Sequence, residues 1–125
     1  MTYIIKRDHE YKKVNRKEFL RLKEKGFDFK LICKIVESKT FSKYLEDVNI
    51  NVIYHVYRCE NGITFIEKEM ISDLLSYSTI VKSVNDYDEI DDFETAKESF
   101  RMSYYHREER FEKMIRTYKK LKEIE

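Results

Sequence analysis

His55, Tyr57 and Cys59 alternate along a β-rich run, so on a strand their side chains share one face. Cys33 lies in a second apolar run that can pair beside the first. Two thiols and an imidazole are zinc donors. Yet the spacing matches no finger or ribbon, no CxxC occurs, and a fourth ligand is missing. The residues therefore read as a core face with a satisfied histidine, and no metal or cofactor is assigned. His9 stands between Asp8 and Glu10, an acid and a base adjacent in sequence. Neighbours on a strand point to opposite faces, so this reads as a solvated charged segment. The chain has no G-x-S-x-G, no phosphate-binding loop, no dinucleotide fingerprint, no HExxH and no EF-hand loop. No catalytic residue is assigned, and the expectation is a protein that is not an enzyme.

Glu37-Ser38-Lys39, with Asp28 nine residues before Glu37, resembles the Asp…Glu-x-Lys pattern of restriction-type nucleases. There the carboxylates hold a divalent metal and the lysine orients the attacking water. A single unbroken strand would separate Asp28 from Glu37 by roughly 30 Å at about 3.3 Å per residue, which argues against that site.

Two surface features remain. Residues 86–98 hold seven acids and one lysine. Of these, Asp86, Asp88, Glu89, Asp91 and Asp92 form a candidate acidic partner-binding patch able to imitate a phosphate backbone. The tract from Tyr104 to Phe111 supplies the second feature, with Tyr104, Tyr105, Arg107, Arg110 and Phe111 as a candidate partner-binding helix face. Tyr and Arg are enriched at binding hot spots.

Charge is polarised although the formal net charge is only +1. Residues 1–30 carry ten Lys/Arg against five acids, and residues 99–125 carry eight against five. The whole is a poor nucleic-acid binder by net charge. Lys12, Lys13, Arg16, Lys17, Arg21, Lys23 and Lys25 nevertheless form a basic stretch. Arg110, Lys113, Arg116, Lys119 and Lys120 add to it from the C-terminal segment. A small DNA- or RNA-binding regulator is the alternative reading. Two Cys make no disulfide framework, and they read as free thiols in a reducing cytoplasm. No run approaches the roughly 18 apolar residues of a membrane span.

The elements that must position these residues follow from local signals. Asn15 is an N-cap with Glu18 three residues on, Val14 can staple Phe19, and Gly26 ends a helix over 16–25. Residues 2–7 read as a strand with room to extend toward Tyr11, and alternation from Phe27 to Ile35 predicts another. Residues 41–48 read as a short helix or a loop. Asn61-Gly62 between 49–59 and 63–68 predicts a hairpin with a type I′ turn. A helix is expected over about 69–77, and 79–84 reads as either strand or helix. Asp91 or Asp92 caps a helix expected to run unbroken over 93–124. Its seam is Phe100, Tyr104, Arg107, Phe111, Met114, Tyr118 and Leu121, and it could pair two chains as a homodimer.

The expected fold is one α+β domain over residues 1–125. A mostly antiparallel sheet is covered by a short N-terminal helix and a long C-terminal helix. Short length, missing motifs and one acidic patch together resemble the small accessory proteins of phages and mobile elements, including anti-CRISPR inhibitors. That resemblance implies a cytoplasmic, non-enzymatic inhibitor that blocks a host nuclease or nucleic-acid enzyme by steric occlusion or nucleic-acid mimicry. No membrane partner is expected.

Overall fold

The computed structural model describes residues 1–27, 30–72, 76–83 and 90–103, with isolated positions 113, 116, 117, 120, 121 and 123 beyond them. The chain runs β1 (Thr2–Arg7), β2 (Glu10–Asn15), α1 (Arg16–Glu24), β3 (Lys30–Leu45), β4 (Ile50–Cys59), β5 (Thr64–Ile71), β6 (Ser76–Lys82) and α2 (Phe93–Ser103). Among the described residues the strands form one antiparallel sheet in the order β2-β1-β3-β4-β5-β6.

Strand β3 sets the shape. Its N-terminal part pairs with β1 and its C-terminal part with β4. Between Ile35 and Glu37 the register shifts, leaving Val36 as the extra, exposed residue of a bulge. A bulge bends its strand and raises the local twist. The bend carries β1 and β2 back over one face of β4–β6, and the two edge strands β2 and β6 come into contact.

The sheet therefore has a covered face and a concave face. On the covered face, Val52, Tyr54, Val56, Ile66, Met70 and Val81 pack against Ala96 and Phe100 of α2. Tyr54 meets Phe93 edge-on at 4.9 Å between ring centres. At the closed end of the concave face, Ile4, Cys33, Tyr57, Cys59, Phe65 and Ile80 cluster beneath β1 and β2.

The antiparallel sheet stands as expected; its helical cover does not. Helix α1 forms where its cap signals place it, with the Glu18 amide donating to Asn15 Oδ1 at 2.7 Å. Its far end closes by a Schellman arrangement: Phe27 N donates to Leu22 O and Gly26 N to Lys23 O, with Gly26 at φ +74°. But α1 only seats Leu22 beside Ile5 and Val14 at one end of the sheet, and does not cover it. The unbroken helix expected over 93–124 is also not seen. The described helix α2 is Phe93–Ser103, eleven residues, and the isolated described positions 113, 116, 117, 120, 121 and 123 are also helical. What roots α2 is the stripe Phe93, Ala96 and Phe100 on the sheet. A heptad pattern by itself does not say what its seam packs against. Phe100, first in the expected seam, is fully buried, whereas Leu121 is 54% exposed.

Three other expectations are corrected. Residues 41–45 continue β3 rather than starting a helix, and 46–49 form the turn to β4. The spacing of Phe41, Tyr44 and Leu45 is ambiguous because Phe41 and Leu45 pack on the covered face and Tyr44 faces the other way. The helix over 69–77 is replaced by the end of β5 and the start of β6, and 76–82 is strand. The 60–62 hairpin is present, but its turn is not type I′. Gly62 has φ +84° while Asn61 does not have positive φ, and Gly62 N donates to Cys59 O at 2.9 Å. This is a type I turn followed by a glycine bulge. The two-residue turn with both φ values positive occurs instead at Asp8 (φ 49°) and His9 (φ 70°), between β1 and β2. The Asp8-His9-Glu10 segment is exposed, as expected of it.

Candidate functional site

Residues directly opposite in an antiparallel sheet share a face, so the register lays out the concave face in rows. At the closed end lie Ser38, Tyr57, Phe65 and Lys82. The next row is Thr40, His55, Glu67 and Ile80, then Ser42, Ile53, Glu69 and Ser78. At the open end are Tyr44, Asn51, Ile71 and Ser76.

The middle rows carry the chemistry. Glu67 is buried and accepts from Tyr57 Oη at 2.6 Å and Lys13 Nζ at 3.2 Å through Oε1. Its Oε2 accepts from Ser78 Oγ at 2.8 Å. Lys13 also donates to Tyr57 Oη at 2.8 Å, so β2 is tied by its side chain to β4 and β5. His55 lies beside Glu67, with Nε2 2.7 Å from Glu69 Oε1 and Nδ1 3.2 Å from Thr40 Oγ1. The His55 and Tyr57 rings stack with centres 6.0 Å apart. A cleft of about 410 Å³ opens between β2 and β6, and its walls include Tyr11, Lys13, Glu67, Tyr77, Ser78 and Ile80.

Burial pushes the Tyr57 phenol well above its usual range, and its hydrogen bond to Glu67 pushes it further. Burial alone would raise Glu67, but hydrogen bonds from Tyr57, Ser78 and Lys13, with the Lys13 charge, outweigh it and hold the carboxyl below its ordinary value. The two partners are thereby locked as a neutral phenol and a carboxylate.

Alternation in the sequence puts His55, Tyr57 and Cys59 on one face, and they are there. It gives no sign that Cys59 and Cys33 are joined by a disulfide, with Cα atoms 5.7 Å apart. The expectation of free thiols is thus corrected, and neither sulfur is available to a metal. Glu67, Glu69, Ser78, Lys13 and Thr40 escape sequence reasoning as members of this site. The signal lies in the turn. A type I′ turn at Asn61-Gly62 would pair Glu60 with Ile63 and set His55 opposite Lys68. The observed three-residue loop pairs His55 with Glu67. One residue of slip exchanges the faces.

Of the expected acidic patch, Asp86, Asp88 and Glu89 lie outside the described residues. Asp91 and Asp92 are exposed. Asp92 caps α2: its Oδ1 accepts from Thr95 N at 2.7 Å, and that bond holds its carboxyl below the usual range. Tyr104, Tyr105, Arg107, Arg110 and Phe111 all lie outside the described residues, as does Asp28. Glu37 is exposed, with Arg58 Nη1 3.7 Å away. Lys12, Arg16, Lys17, Lys23 and Lys25 are exposed on β2 and around α1, and Arg21 is bound to Glu18. Among the described residues no helix is long and apolar enough to cross a membrane. Comparison of the chain with family models, curated proteins and solved structures finds no match.

Proposed function

We propose that this chain is a non-enzymatic protein-binding module whose partner docks on the open rows of the concave sheet face. The observation that carries this is the row Tyr44, Asn51, Ile71 and Ser76, all exposed and directly opposite one another. Tyr44 is 49% and Ile71 41% exposed, with the half-buried Ile53 in the row behind. An exposed tyrosine among aliphatic and small polar side chains matches the composition of binding surfaces. Binding is favoured over catalysis by the titratable groups. A general acid or base works best with a pKa near the operating pH, and Tyr57 and Glu67 are both driven away from it. The narrower reading, occlusion or mimicry directed at a nucleic-acid enzyme, rests on the acidic residues of 86–98, of which Asp91 and Asp92 are exposed.

Site-specific photo-crosslinking tests the module. A benzophenone amino acid in place of Ile71 is expected to give a discrete protein adduct in cells, and one in place of the exposed Glu24 on α1 is not. An identical adduct pattern from both positions, or none from position 71, refutes the docking face.

The second reading, a nucleic-acid binder, is favoured by the exposed Lys12, Arg16, Lys17, Lys23 and Lys25. It predicts a mobility shift that weakens steeply between low and moderate salt. Such a shift in the absence of any protein partner would replace the first reading.

A further inference from the structure

We propose that His55, Glu67 and Glu69 form a binding site for a divalent first-row cation, of the kind that accepts one imidazole and two carboxylates. One donor atom from each residue lies within 4.8 Å of the other two. His55 comes from β4, and Glu67 and Glu69 from alternate positions of the adjacent β5, so two neighbouring strands of a rigid sheet hold all three. Two donors each about 2.1 Å from one ion lie at most about 4.2 Å apart. At the tetrahedral angle that spacing is about 3.4 Å, so the His55 Nε2–Glu69 Oε1 pair at 2.7 Å must open and any wider pair must close, by rotation of the carboxylates.

The supporting shell is in place. Metal-bound histidines are oriented by a partner on the other ring nitrogen, and Thr40 Oγ1 stands 3.2 Å from Nδ1. Among the described residues, Glu67 Oε1 accepts from Tyr57 and Lys13 and Oε2 from Ser78, and a carboxylate oxygen has room for more than one partner. His55 and Glu69 are partly exposed, and Glu67 also lines the β2–β6 cleft.

The contact between His55 Nε2 and Glu69 Oε1 carries the chemistry. At 2.7 Å, two lone pairs would repel, so a positive centre must lie between them. In the ion-free protein that centre is a proton on Nε2. A divalent cation takes its place. From the imidazolium form, binding releases this proton to solvent. From the neutral form, the proton moves to Nδ1, where Thr40 Oγ1 accepts it. Lys13 cancels part of the negative charge, so it weakens the site without destroying it. One nitrogen and two carboxylate ligands favour Zn²⁺ or Mn²⁺ over Mg²⁺.

Titration of the chelator-stripped full chain with Zn²⁺ and with Mn²⁺, followed by calorimetry in two buffers of different ionisation enthalpy, tests this. Saturable binding of a single ion per chain is expected. His55→Ala and Glu69→Gln should each abolish it; both positions are partly exposed, and circular dichroism verifies their folding. Thr40→Val leaves all three ligands and should weaken binding by about tenfold to hundredfold. Lys13→Met should tighten it. Absence of saturable binding of either ion, or binding that survives the combined His55→Ala and Glu69→Gln changes, overturns the site.

Discussion

Glu67 is the residue on which the concave face depends. A carboxylate so deeply buried is costly unless its lone pairs are filled, and three side chains from three other strands fill them. Because its pKa in the folded state lies below the ordinary 4.5, the stability it contributes is complete above that value. It is lost as pH falls through the folded-state pKa. Glu67→Gln should lower stability at neutral pH by about 2 kcal/mol, since charge-assisted bonds are each worth about 1.5–3 kcal/mol and an amide replaces them only in part. The variant should also show a shallower fall in stability below about pH 4.5. Urea unfolding at several pH values measures both, and parallel pH profiles for the two proteins would contradict the role given to Glu67. At this scale, the shared face of His55 and Tyr57 is legible because alternation alone decides it. Their acidic partners are not, because these sit on another strand.

At the scale of elements, the turn between β4 and β5 is the decisive joint. Gly62 holds φ +84°, and a Cβ added there meets nothing within 4 Å. The cost of Gly62→Ala is therefore conformational and should be about 1 kcal/mol, while Gly62→Asn should cost less because asparagine tolerates the left-handed region. Thermal unfolding of the two variants gives that order; equal losses would mean that crowding rather than φ governs the position. Helix ends behave the same way. Asn15, Glu18 and Gly26 are readable because caps involve backbone groups within a few residues. The stretches 41–48 and 69–77 mislead because apolar residues fall on both faces of β3 and β5. Phe41 and Met70 pack toward α2 while Tyr44 and Ile71 face outward, and a strand with apolar residues on both sides imitates helical spacing.

For the whole molecule, the bend in β3 and the Cys33–Cys59 disulfide act at the same place. The bond joins β3 to β4 just before the bulge, where the sheet turns over on itself. With a sequence separation of 26 between the cysteines, the loop-entropy relation gives about 3.5 kcal/mol of stabilisation. Reduction should lower the urea midpoint accordingly, and the combined Cys33→Ala and Cys59→Ala variant should match the reduced protein. A midpoint indifferent to reductant would mean that the sulfurs are not joined in solution.

Composition, the capped helix at 16–24, the alternation over 49–59 and the existence of the 60–62 hairpin were determined by the sequence itself. Each depends on backbone sterics and hydrogen bonds among residues close in the chain. The turn type, the curl that brings β2 to β6, and the meeting of Lys13, Tyr57, Glu67 and His55 were decided only by the tertiary structure. Register parity and curvature are sums over the whole sheet, so a single added residue, such as Val36 in its bulge or Gly62 in its turn, reassigns which side chains converge.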